Sequence, residues 1–188
     1  MEVGWLAGFG EGSLMPAQTP PAQPNTELPA LWDGRFHGPG EFAEVIRQAF
    51  KAAAVQGWRD IIMSDATFES WPLGERAVVQ PLQDWAKTGR TLTVLARNYD
   101  EVSRRHPRFV TWRRTWAHLV VCRANSYVAN DDFPSAVWSA GWACQRLDLV
   151  RSTGIAGTEP ARRIAIKERL NECLRRSAAS FPATTLGL

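Results

Sequence analysis

The stretch "GEFAEVIRQAFKAAAVQGWRDIIMSD", Gly40 to Asp65, changes its hydrophobic rhythm partway along. Phe42, Val45, Ile46, Ala49, Phe50 and Ala53 recur at helical spacing, and Gly57 is well placed to stop a helix. Directly after it, "WRDIIMSD" is a short apolar run bounded by charged residues, which reads as a buried strand. Downstream, "FESWPLGE" reads as a turn, and Pro81 is expected to open a helix running to Lys87, because proline suits a helix start and not its interior. "TGRTLTVLARN" supplies a second strand over Thr91 to Ala96. Tyr99 to Arg105 is expected to be helical and closed by His106-Pro107, since a residue before proline avoids helical geometry.

The third strand is "AHLVVCRA" and the fourth "SAVWSAGWACQRLDL", separated by the turn-rich "NSYVANDDFP". A charged helix from Pro160 to Ala178 follows, with Ile164, Ile166, Leu170, Cys173 and Leu174 mostly on one side. Helices alternating with strands imply an α/β domain, a mixed sheet flanked by helices. Periodicity does not give the strand order.

With 188 residues, 45% of them apolar, and nine tryptophans, the chain can bury a real core as one domain, placed at 31–188. The segment "SLMPAQTPPAQPNTELP", Ser13 to Pro29, is too polar and proline-rich to offset the entropy of ordering, so 1–30 reads as a flexible leader. Cys122, Cys144 and Cys173 are odd in number and widely spaced, without a CxxC pair. That usage fits free buried thiols in a reducing compartment. No apolar run approaches the ~18 residues of a membrane span. The first residues lack the basic start of a signal peptide, so the expected location is the cytoplasm.

Charge is distributed unevenly. Between Arg97 and Arg123 stand seven arginines against Asp100 and Glu101, a local surplus of +5 in a chain of net charge +3. The rest therefore sums to −2, and one basic face is expected, suited to phosphate or another anion. Asp65 sits just past the first strand and Arg97 just past the second. If helical connections make these strands parallel, both emerge at the carboxyl edge, where open α/β sheets bind ligands. Should the third strand run antiparallel, His118 would join them there, with Arg104, His106, Arg108, Arg113 and Arg114 rimming the crevice. Asp65 also suits a turn-capping role. Trp116 suits packing, and Trp112 suits either packing or the stacking of a base. The candidate ligand-binding set is thus Asp65, Arg97, His106, Arg108, Trp112, Arg113 and His118.

Other chemistries lack their motifs. There is no Walker A loop, no GxGxxG after a strand, no HExxH, no GxSxG and no paired His–Cys cluster, so no cofactor or metal is implied. His37, His106 and His118 are the only histidines, which leaves few general bases.

"DIIMSDATFESWPL", "HPRFVTWRRTWAHLVV" and the terminal "FPATTLGL" resemble a bacterial domain family of unknown function, whose members occur alone or behind a GNAT-type acetyltransferase domain. The resemblance covers Leu31 to Leu188 and implies no activity. The order of elements is also similar to one half of a phospholipase D-like domain. In that superfamily a strand opens with His-x-Lys, an Asp follows, and the histidine attacks a phosphodiester. Aligning His118 with that histidine puts Val120 at the lysine and Asn125 at the aspartate, so the catalytic set is incomplete. A homodimer could supply a second histidine but not the lysine. Three readings follow: a non-catalytic module binding nucleic acid or another phosphate-bearing ligand, a domain docking on a partner protein, and an unusual phosphodiesterase using His118.

Overall fold

The computed structural model describes Met1, Gly4, residues 29–88 and residues 90–183; most of the expected leader lies outside the described residues. The apolar stripe Phe42-Val45-Ile46-Ala49-Phe50 forms the buried face of a helix, α1 (Gly38–Gln56), behind a short edge strand, β1 (Gly34–Phe36). Gly57 ends α1 in the left-handed region at φ 64°, where its amide bonds the Ala53 carbonyl. That conformation costs glycine nothing. The chain then enters β2 (Asp60–Asp65), whose Ile61 and Met63 face α1 while Ile62 faces the opposite layer. A near-continuous apolar run is what two-sided coverage requires.

The elements that follow are α2 (Arg76–Ala86), β3 (Thr91–Ala96), α3 (Asp100–Arg105), α4 (Pro107–Thr115), β4 (Val120–Ala124), β5 (Ala136–Trp138), β6 (Ala143–Asp148), β7 (Thr153–Gly157), α5 (Pro160–Arg175) and β8 (Ala178–Ala179). One mixed eight-stranded sheet has the order β1-β7-β6-β5-β2-β3-β4-β8. Only β2, β3 and β4 are mutually parallel. Helices α1, α2 and α4 cover one face over a core that includes Phe36, Phe50, Phe68, Trp85, Phe109 and Trp142. On the other face α5 lays Ile166, Leu170 and Cys173 against Ile62 and Leu95. Each such fully buried apolar side chain contributes about 1.5–3 kcal/mol. The α/β class with a mixed, helix-flanked sheet is the one expected. Among the described residues, no helix is long and apolar enough to cross a membrane. All three cysteines are buried and unpaired.

Three expectations are corrected. Pro81 lies inside α2, which begins five residues earlier. The apolar positions Val78, Leu82, Trp85 and Ala86 carry the helix across it, and the carbonyl Pro81 leaves unbonded belongs to the exposed Ala77. "SAVWSAGWACQRLDL" is a hairpin of β5 and β6 and not one strand, because the Ser139 amide bonds the Trp142 carbonyl across a tight turn. The third strand, β4, runs parallel to β3, so His118 stands at the amino edge of the sheet, opposite the edge that carries Asp65.

Candidate functional site

Asp65 ends β2 at the carboxyl edge, 5% exposed. Its Oδ1 accepts the amides of Thr67 (3.1 Å) and Phe68 (2.8 Å), and its Oδ2 accepts Nη2 of Arg146 at 2.6 Å. Arg146 comes from β6 and is itself buried. Its Nε donates to Ser135 and its Nη1 to Ser70, while the guanidinium lies 4.4 Å over the Phe42 ring. Burial opposes ionisation of Asp65 most strongly. The Arg146 charge and hydrogen bonds to the carboxylate, the Phe68 amide's among them, together outweigh it, so the carboxyl titrates below its ordinary range. The pair is closed to solvent and joins the antiparallel half of the sheet to the parallel half.

Other residues of the expected set are also bound into packing. His106, 5% exposed, donates Nε2–H to the Phe68 carbonyl at 2.8 Å, fixing the Ala66–Glu75 loop against the α3–α4 junction. Burial lowers its pKa, so it is neutral at pH 7. Arg113 is buried too. Its Nε contacts Cys122 Sγ at 3.3 Å and its guanidinium faces the Phe181 ring. Arg97 is half-buried, its amide bonded to the Ala66 carbonyl. His118 is exposed beside Trp116 at the far edge. The seven residues therefore do not line one crevice.

Two of them do meet elsewhere. Arg108 and Trp112 lie on α4 along a groove that α4 shares with α2, of about 480 Å³. From α2 come Arg76, Val79, Gln80 and Gln83; Pro107, Thr111 and Thr115 complete the wall. Both helices start near the carboxyl edge and run back toward the amino edge. Arg76 and Arg108 therefore sit together at one mouth, where the partial positive charges of two helix N-termini add to theirs. Glu75, the nearest carboxylate in sequence, is held on Arg47 by contacts of 2.7 and 3.0 Å and ionises more readily for it.

The exposed arginines differ in their freedom. Arg104 pairs with Glu101, and Arg105 with Glu101 and Glu69. Arg76, Arg108 and Arg114 are exposed and have no carboxylate partner among the described residues; Arg108 only donates to the Gly74 carbonyl at 3.1 Å. The groove's floor is Trp112, 4% exposed, whose indole Nε1 is buried without an acceptor. Sequence reading did not select Arg76, Gln80 or Gln83. Their signal is the i, i+4, i+7 spacing of one helix face, which a helix start at Pro81 conceals.

The fold is similar to that of TrmBL2, an archaeal chromatin protein whose structure shows a novel mode of DNA binding, with a TM-score of 0.57 and 14% identity. The likeness covers 83% of this chain and 56% of that one, and it is a likeness of fold. No protein-family model matches the chain, and no curated protein matches it.

Proposed function

We propose that this domain is a non-catalytic module, built on a phospholipase D-like scaffold, that binds the phosphate backbone of a nucleic acid. The observation that carries the reading is the pair Arg76 and Arg108, exposed, without carboxylate partners among the described residues, and lining one groove from the N-terminal ends of α2 and α4. Two guanidiniums without carboxylate partners among the described residues, backed by two helix dipoles, suit the oxygens of a phosphate. Arg114 extends the free positive charge toward the end of α4. Similarity of fold to a chromatin protein that binds DNA favours the same ligand class. The module is read as non-catalytic because Val120 and Asn125 stand where the phospholipase D-like pattern has lysine and aspartate.

The test is fluorescence anisotropy of labelled DNA and RNA over a series of salt concentrations. The logarithm of the affinity is expected to fall linearly with log salt, and Arg76→Ala/Arg108→Ala should reduce that slope by about 1.4 on single strands or 1.8 on duplex, two phosphate contacts' worth. Arg105→Ala should change little, since Glu69 and Glu101 already engage that side chain. No binding to any probe at low salt would remove the proposal.

A further inference from the structure

Resting on that reading, we infer that the α2–α4 groove takes one unstacked nucleotide, so that the domain prefers single-stranded nucleic acid to duplex. The groove's 480 Å³ falls within the range of small-molecule sites, about 300–1,000 Å³. A duplex keeps its bases stacked inside and could offer this groove only backbone. An unpaired nucleotide can set its phosphate on Arg76 and Arg108 and lay its base along the groove.

The polar groups there are already oriented. Gln83 Oε1 accepts the Trp116 indole N–H at 2.8 Å, which turns the Gln83 amide nitrogen outward as a donor. Thr111 donates to the Pro107 carbonyl and Thr115 to the Thr111 carbonyl, so both hydroxyls are left with lone pairs to accept. Gln80 directs its Nε2 toward Asp84, leaving its Oε1 as an acceptor. Trp112 Nε1 is closed to solvent, so Trp112 contributes apolar surface alone. Donors and acceptors beside the apolar surface of Val79, Pro107 and Trp112 suit the edge and face of a nucleobase. A purely apolar ligand would leave the two arginines and the Gln83 amide unused.

The experiment compares a labelled single strand with a duplex of equal length at one salt concentration, using the full chain. The single strand is expected to bind at least tenfold tighter. Gln80→Ala and Thr111→Val, both on exposed side chains, should each reduce that ratio about fivefold. A nucleoside monophosphate should displace the strand at concentrations where inorganic phosphate does not. Should Thr111→Val lower the melting temperature, Gln80→Ala alone decides. Equal affinity for strand and duplex, unchanged by either substitution and still salt-sensitive, would overturn the inference and leave the backbone-binding reading in place. Displacement by an acidic peptide but not by the nucleotide would overturn it as well. No binding of either form at low salt ends both.

Discussion

Arg146→Met is expected to destabilise the domain by about 3–5 kcal/mol at neutral pH, the cost of leaving a buried charge without its partner. Methionine keeps much of the aliphatic volume against Phe42, so the loss falls chiefly on Asp65, which retains only its amide donors. Against a total stability of about 5–15 kcal/mol this is a large fraction. The pH dependence identifies the cause. In the unsubstituted protein Asp65 has a folded pKa below its unfolded value, so its contribution is complete above about pH 3.9 and is lost as pH falls through the folded pKa. Without Arg146, burial dominates and raises the folded pKa above the unfolded one. The penalty is then full above that raised value and shrinks as the pH drops and the carboxyl takes a proton. Urea unfolding of both proteins at pH 7 and pH 4.5 reads the difference. A gap that is constant between the two pH values would mean that Asp65 is not the group left unpaired. Asp65→Asn supplies the converse case: it strands the Arg146 guanidinium and leaves no carboxyl at position 65 to take a proton, so its deficit should not shrink at pH 4.5.

The Asp65–Arg146 pair also marks how far the sequence could be read. Asp65 was legible because a carboxylate after an apolar run stands out, and the bounds of β2 and β3 follow from runs buried on both faces. Its partner was not legible. Arg146 lies 81 residues away in "ACQRLDL", where alternation makes it look like an ordinary solvent-facing strand residue. Only the sheet order, which brings β6 within reach of β2 through β5, turns it inward. The basic stretch from Arg104 to Arg114 was similarly readable as charge and not as geometry. Its arginines divide among ion pairs, a buried contact with Cys122 and one groove wall, according to a helical phase that the break at His106-Pro107 resets. Strands β1, β7 and β8 left almost no signal, since they are two to five residues long and β7 contains two glycines.

Those glycines lead to the second large effect. Gly154→Ala should cost about 3 kcal/mol, at the upper end of overpacking. A Cβ at Gly154 would stand 2.2 Å from the Gln145 carbonyl oxygen, 2.3 Å from Phe36 Cζ and 2.9 Å from Arg146 Cα. Two of these atoms are backbone of β6, the strand paired with β7, and Phe36 is fully buried, so no flexible side chain can give way. Strand β7 has to lift from β6, taking with it the ladder to β1 and the β6 segment that aims Arg146 at Asp65. The same residue that weakens the strand's sequence signal is what allows three strands to pack around Phe36. Gly40→Ala is the control: in the first turn of α1 a Cβ meets nothing within 4 Å, and the change should stabilise by up to about 1 kcal/mol. Because Gly154 lies opposite Arg146 in the ladder, Gly154→Ala/Arg146→Met should cost less than the sum of the single changes, each having already disturbed the same pair. Full additivity in urea unfolding would mean that β7 yields without moving Arg146, and stability equal to the unsubstituted protein in Gly154→Ala alone would contradict the β1–β7–β6 register.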